Sequence, residues 1–368
     1  MVDLQTQYLK IKDEIDDAMQ GVVDTARFIN GPDVAMFQSE LAAYNHAAHV
    51  ITCASGTDAL QLALMSLDLE PGDEVITVPF TFVSTVEVIC LLGLKPVFVD
   101  VLPDTFNMDV DQLESVITPR TKVILPVHLF GQCADMERIL SVAEKHKLYV
   151  VEDACQAVGA KFRFSDGSVR QAGTMGTVGC TSFFPSKNLG CYGDGGAVFT
   201  QDGGLSEKIR KLANHGMPKH YQYDYIGVNS RLDSIQAAVL RVKLRYLDSY
   251  IAARQQAAKQ YTQLLSGTKI FQCPVTAQFS THVFHQYTLK MYGIERSVAM
   301  ERLSAAGVPS AVYYPIPIHL QKAYKSLKYT QGDFPVAEDL SQRVLSLPMH
   351  TELSEEQIQY ISEILLTI

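Results

Sequence analysis

Lys187 stands in a setting that few surface lysines share. It closes the run Thr181-Ser182-Phe183-Phe184-Pro185-Ser186-Lys187, and Gly190 and Gly193-Asp194-Gly195-Gly196 follow it. An aromatic pair just upstream would take water away from the ammonium, which disfavours the charged form and lowers its pKa. A neutral amine attacks carbonyls, so the segment suits a Schiff-base nucleophile. A lysine laying its stem on apolar surface with its head in water fits the same residues. The segment alone leaves both readings open.

Three other groups could work beside it. In Ser55-Gly56-Thr57-Asp58-Ala59-Leu60, a strand-like run passes through a small-residue turn into a helical pattern. The unpaired N–H groups and dipole of a helix start favour a phosphate there, although Ser and Thr are also ordinary helix caps. Asp153 ends the strand-like run Val150-Val151-Glu152. Ligands of open α/β sheets bind at such strand ends, where a carboxylate could pair with a cationic ring nitrogen or simply cap the next helix. Gln156, one turn on, could donate to a ligand oxygen or face solvent. Phe82, after the strand-like run ending at Val78, could stack on a flat ring or belong to the core.

Taken jointly, these parts meet the needs of pyridoxal phosphate: a lysine for its aldehyde, a carboxylate for its pyridine nitrogen, a cup for its phosphate and an aromatic for its ring face. The elements that must position them alternate in the pattern of an α/β fold. Strand-like runs are Val50–Cys53, Glu74–Val78, Pro96–Val101, Val123–Val127, Leu148–Glu152, Cys180–Phe184 and Gly196–Thr200. Helical patterns cover Phe37–Tyr44, Asp58–Leu67, Ser84–Leu92 and Asp135–His146. This predicts a mostly parallel sheet covered on both faces. Leu232–Tyr261 reads as a long helix with a break near Ser249. Strand-like His285–Met291 and helical Arg296–Ala306 then suggest a smaller α+β domain, with the division near residue 250. The irregular stretch Met217–Asn229 is a candidate functional loop.

Composition narrows the function. The 368 residues are 47% hydrophobic and 19% charged, with a net charge of -9. That balance describes a globular protein and disfavours nucleic acid, which is bound by clustered Lys and Arg. Seven scattered cysteines without a C-x-x-C pair suit reduced thiols, and ten histidines show no metal spacing. Neither a signal-peptide pattern nor a membrane-length apolar run is present, so a cytoplasmic location and no membrane partner are expected.

The chain resembles the DegT/DnrJ/StrS family of nucleotide-sugar aminotransferases, within the type I pyridoxal-phosphate-dependent (aspartate-aminotransferase-like) fold. The likeness is carried by Gly31-Pro32, Ser55 to Leu60, Pro71-Gly72-Asp73-Glu74-Val75, Pro96 to Asp100, Glu152-Asp153-Ala154 with Gln156, and the lysine segment. His215-Gly216, Gly227 to Leu232 and Gln236-Ala237-Ala238 extend it. The resemblance implies a large cofactor-binding domain over 1–250 with an N-terminal helix, and a small C-terminal domain over 251–368.

It assigns Lys187 the covalent attachment and the proton transfer, Asp153 the pyridine nitrogen and Gln156 the ring hydroxyl. Gly56, Thr57 and Ser182 would hold the phosphate, with Asn229 reaching in from the neighbouring subunit of a homodimer. Phe82 would stack on the ring. Within the family the chain is most similar to WbpE-type enzymes, which use L-glutamate to aminate C3 of UDP-2-acetamido-3-keto-glucuronate for polysaccharide and O-antigen sugars. On that likeness Phe28, Ser186, Arg231, Tyr313 and Tyr314 line the sugar-nucleotide pocket. Tyr313 stands where the closest pattern has histidine, and Ala26 where it has glycine. Alternatives are another UDP- or dTDP-keto sugar, at C3 or C4, and a non-catalytic regulator of the same fold. A sugar 3-dehydratase would carry histidine at Lys187.

Overall fold

The computed structural model describes residues 1–367. Its main sheet has seven strands: β1 (His49–Cys53), β2 (Glu74–Thr77), β3 (Lys95–Phe98), β4 (Thr121–Ile124), β5 (Tyr149–Asp153), β8 (Val178–Ser182) and β9 (Gly196–Thr200), in the order β1-β9-β8-β5-β4-β2-β3. Only β9 runs against its neighbours. A hairpin of β6 (Lys161–Arg163) and β7 (Val169–Gln171) lies apart from it. The predicted strands are present with small shifts: Cys180–Phe184 begins and ends two residues early, because the ladder partner Gly196 is reached at Ser182.

Side-chain alternation along these strands builds two layers, as a period of two requires. Val50, Ile76, Ile124, Val150 and Phe199 pack with helices Pro32–Asn45, Met136–His146 and Ser234–Leu244. Ile51, Val75, Val123, Val151 and Val198 pack on the other face, with helices Gly56–Met65, Ser84–Leu91 and Gly203–Leu212. The N-terminal helices add Ile11 and Ile15 against Val239 and Val242.

The long helical pattern is two helices, Ser234–Leu244 and Leu247–Leu265. Their break falls at Arg245–Tyr246 rather than at Ser249. There the amides of both residues tighten onto carbonyls three back, Val242 and Lys243. Residue 250 thus lies in the first turn of the second helix. That helix contributes Ile251 to the main core and then Ala257, Ala258, Tyr261 and Leu265 to a separate one. The separate core lies on an antiparallel sheet of β10 (Phe271–Gln272), β11 (Tyr287–Met291) and β12 (Val344–Leu347), with helices Arg296–Ala305 and Glu355–Leu366. No helix among the described residues is long and apolar enough to cross a membrane.

Candidate active site

Because β1, β2, β5 and β8 point the same way, the segments that leave their carboxyl ends meet at one sheet edge. These segments, together with the stretch carrying Tyr313 and Tyr314 after helix Arg296–Ala305, enclose a cavity of about 610 Å³ lined by Gly56, Thr57, Phe82, Gln156, Ser182, Ser186, Lys187, Tyr313 and Tyr314. Nine of the expected site residues therefore share one pocket. Asp153 lies beside it, 6% exposed, and its charge is felt at Lys187 and Cys155.

The lysine loop is closed on itself. Phe183 N–H donates to Gly195 O at 2.7 Å, and Lys187 N–H donates to Phe184 O at 2.8 Å. Asn188 Nδ2 ties the loop to Val283 O at 2.9 Å. A Cβ at Gly190 would lie 2.4 Å from Pro185 O, so only glycine allows the turn to fold back. Burial pulls the Lys187 pKa down, opposed by Cys155 and Asp153.

At the start of helix Gly56–Met65, Ser55 Oγ accepts from Asp58 N at 3.1 Å and Ser55 O from Ala59 N at 3.0 Å. The N–H groups of Gly56 and Thr57 precede any intrahelical partner and favour an anion. This helix start touches the end of β8, where an added Cβ on Gly56 would sit 2.6 Å from Ser182 Cβ and 3.0 Å from Cys155 Sγ.

Strand β5 separates two neighbouring carboxylates by alternation. Glu152 is fully buried and accepts from the amides of Gly173, Met175 and Gly176 at 2.8, 2.6 and 2.6 Å. It also pairs with His128 Nε2 at 2.8 Å. Ala134 N–H donates to His128 Nδ1 at 3.1 Å, so Nε2 carries the ring proton and donates to Glu152. Glu152 thus holds structure. Asp153 accepts Cys155 N–H on Oδ1 and the Thr85 hydroxyl on Oδ2.

Gln156 has its amide orientation set by its partners. Oε1 accepts Phe130 N–H at 2.8 Å, and Nε2 donates to Tyr314 Oη at 3.1 Å. Tyr314 also meets Phe80 and Phe82, at ring-centre distances of 6.0 and 6.3 Å, and burial raises its pKa.

Three expected residues are elsewhere. Phe28 is 44% exposed, and its carbonyl accepts Ser234 N–H at 2.9 Å. Asn229 is exposed and bridges Asn214, and Arg231 is half-buried outside the cavity. All three flank the start of helix Ser234–Leu244, where Ile29 bridges Asp233. The nearby loop Met217–Asn229 leaves Tyr221, Tyr223 and Ile226 exposed.

Sequence reasoning missed His285 and Thr85. His285 lines the cavity, is 8% exposed and has a buried Nδ1 without a partner among the described residues, and burial drives its pKa well below the ordinary value. Its signal was a histidine opening an apolar strand-like run. The signal of Thr85 was a second hydroxyl four residues after Thr81.

These residues fit pyridoxal phosphate. The pocket offers an amine of lowered proton affinity, a buried carboxylate next to it and a helix start whose glycine leaves room against Ser182. Phe82, 54% exposed on the cavity wall, offers a free ring face.

The model of the DegT/DnrJ/EryC1/StrS aminotransferase family matches residues 9–366. The chain is 45% identical to a UDP-2-acetamido-2-deoxy-3-oxo-D-glucuronate aminotransferase of Pseudomonas aeruginosa, covering 98% of this chain and 97% of that one. It is also 45% identical to a UDP-N-acetyl-3-dehydro-alpha-D-glucosamine 3-aminotransferase of Acidithiobacillus ferrooxidans (99% and 96%) and to a pleiotropic regulatory protein of Geobacillus stearothermophilus (99% and 96%). The crystal structure of S. venezuelae DesV in complex with a ketimine intermediate superposes with a TM-score of 0.95 at 40% identity, covering 99% of this chain and 96% of that one. NtdA from Bacillus subtilis, with bound cofactor PMP, superposes at 0.89 and 32% identity, covering 97% and 82%. The chain belongs to the DegT/DnrJ/EryC1/StrS aminotransferase family, as a pyridoxal-phosphate-dependent enzyme of fold type I.

Proposed function

We propose that the enzyme moves an amino group from L-glutamate to C3 of a UDP-linked 3-keto sugar, with UDP-2-acetamido-3-keto-glucuronate as the first substrate to try. The observation that carries the chemistry is Lys187 in one cavity with the Gly56–Thr57 helix start and Ser182, beside Asp153. The names of two relatives at 45% identity support the sugar class, and dTDP-sugar transaminases at 40% keep the alternative substrates in view.

Pyridoxal phosphate supplies an aldehyde that receives the amino group and a ring that absorbs the electrons released at the substrate carbon. Gly56 and Thr57 N–H groups and the Ser182 hydroxyl would hold its phosphate. Phe82 would cover the ring, and Gln156 would face the ring hydroxyl. Asp153 would keep the ring nitrogen protonated by opposing its charge. Lys187 Nζ would take the proton from the glutamate α-carbon in the first half-reaction and return one to the sugar carbon in the second. Ser186, Tyr313 and Tyr314 would meet the sugar nucleotide.

Phe28, Asn229 and Arg231 lie outside this chain's cavity, and we assign them to the pocket of a second copy in a two-fold homodimer. There Arg231 would fork onto a phosphate or a uronate carboxylate. We further assign the enzyme to the cytoplasm and to polysaccharide or O-antigen sugar synthesis. We divide the chain near residue 250, where the long helix passes from one core to the other.

The test incubates the aminated enzyme with UDP- and dTDP-keto sugars and locates the new amine by NMR. Amination of a dTDP-4-keto-6-deoxy sugar without turnover of the 3-keto uronate overturns the substrate assignment. Lys187→Ala should abolish glutamate-dependent 2-oxoglutarate formation. The regulatory name of one relative favours a second role, which would show as partner-protein binding retained by Lys187→Ala.

A further inference from the structure

Two buried hydroxyls lead to the carboxylate of Asp153. Thr85 Oγ1 donates to Asp153 Oδ2 at 2.8 Å, and Thr81 Oγ1 lies 3.0 Å from Thr85 Oγ1. A hydroxyl carries one proton. That of Thr85 is committed to Asp153, so Thr81 must be the donor in the second contact. The chain is therefore directional: Thr81 donates to Thr85, and Thr85 donates to Asp153. On the other side Cys155 N–H donates to Asp153 Oδ1 at 3.2 Å. Each carboxylate oxygen thus has one donor, and the plane of the group is fixed.

We propose that Thr85, backed by Thr81, is a positioning residue for the transamination: it fixes the plane of the Asp153 carboxylate and aims it at the cofactor's ring nitrogen. The proposal rests on the reading of Asp153 as partner of the ring nitrogen.

The surroundings say why hydroxyls matter here. Thr81 and Thr85 are 2% and 0% exposed, and Phe80, Val86, Val88 and Ile89 of the same segment are buried with them. Valine would satisfy packing alone at both positions. What valine cannot do is donate to a buried carboxylate, which would otherwise be stripped of water on that side. Donation to the ionised form favours it, and two hydroxyls in series polarise each other in the same sense. Thr85 sits in the first turn of helix Ser84–Leu91, and Thr81 in the bend after β2. The segment carrying Phe82 to the cavity wall is therefore tied to the segment carrying Asp153. A displaced Phe82 and a misaligned Asp153 are coupled faults.

The experiment compares wild type with Thr85→Val, Thr85→Ser and Thr81→Val as holoenzymes, with Asp153→Asn as reference. Thr85→Val should lower kcat by about tenfold, the worth of one hydrogen bond to a charged group, while KM for glutamate changes less. It should also displace the pH midpoint of the bound cofactor's absorbance. Thr85→Ser should restore both readings, and Thr81→Val should shift them in the same direction by less. Thermal unfolding identifies a variant that has lost its fold, in which case Thr81→Val and Thr85→Ser carry the decision. Wild-type kcat and absorbance titration in Thr85→Val and Thr81→Val, with Asp153→Asn inactive, overturns the positioning role and leaves the reading of Asp153 intact. An unaffected Asp153→Asn overturns both.

Discussion

The ammonium of Lys243 donates to the carbonyl of Gly190 at 2.7 Å, in the loop that carries Lys187. Lys243 is 2% exposed, lies over the Tyr192 ring at 5.1 Å and has no carboxylate partner among the described residues. Its helix thereby fixes the far side of the reactive loop.

Burial pushes the Lys243 pKa down to about 8, with Cys191 opposing and Arg254 adding to the shift. An unfolded lysine titrates near about 10.4. Between these values the unfolded chain binds more protons, so this group's contribution to stability rises with pH. Below the folded value the buried charge has its full cost. Urea unfolding at pH 7 and pH 9.5 should show the stability difference between wild type and Lys243→Met moving in favour of wild type, by at most about 1.4 kcal/mol per pH unit. A difference independent of pH would show that Lys243 does not titrate in this window.

Gly56→Ala should damage the site without erasing the fold. The new Cβ meets Ser182 Cβ at 2.6 Å and must push the helix start away from β8. Overpacking of this kind costs about 1–3 kcal/mol. Retention of cofactor through gel filtration should fall more sharply than the melting temperature. Full retention would remove the helix start from the proposed phosphate site.

Gln156→Leu leaves Phe130 N–H and the Tyr314 hydroxyl without their partners. Unsatisfied buried groups cost about 1–3 kcal/mol each. Calorimetry should report a lowered melting temperature, together with reduced kcat. A variant as stable as wild type would mean that water replaces the amide at both ends.

The assignment of Phe28, Asn229 and Arg231 to a partner's pocket can be tested by mixing variants. Lys187→Ala and Arg231→Ala should each be defective alone. Co-refolded, they form mixed dimers in which one site has both an intact Lys187 and an intact Arg231. Activity should reappear on mixing. If it stays at the level of the two separate variants, each chain serves its own pocket.

Much of the site was legible because each part follows a strand carboxyl end, and the runs preceding Ser55, Phe82, Asp153 and Lys187 are apolar enough to read as strands. Gly196–Thr200 agrees residue for residue with β9. The strands β6 and β7 were missed, since three residues each are too short a run for a period of two to register, although Phe162 is buried between exposed Lys161 and Arg163. Helices Pro335–Arg343 and Glu355–Leu366 were missed as well, although Ser354 and Gln357 form a capping box. Thr85 and His285 could not be assigned from sequence, because their chemistry comes from neighbours far along the chain. Nor does a single chain's sequence indicate that Phe28 and Arg231 stand apart from Lys187.

The reversal of β9 has a consequence for how the site comes into being. The β8–β9 ladder closes a short hairpin, so the loop bearing Lys187 can form from local chain. β1 joins that hairpin only through β9, across most of the large core's sequence. Bringing the Gly56–Thr57 turn to Ser182 therefore closes a much longer stretch of chain than the hairpin does, at a greater loop-closure cost. A ligand gripping both sides of that seam acts as a clasp on this costly closure. Added cofactor should slow hydrogen exchange of β1 amides more than those of β8, and equal slowing would show that the seam is not the weak point.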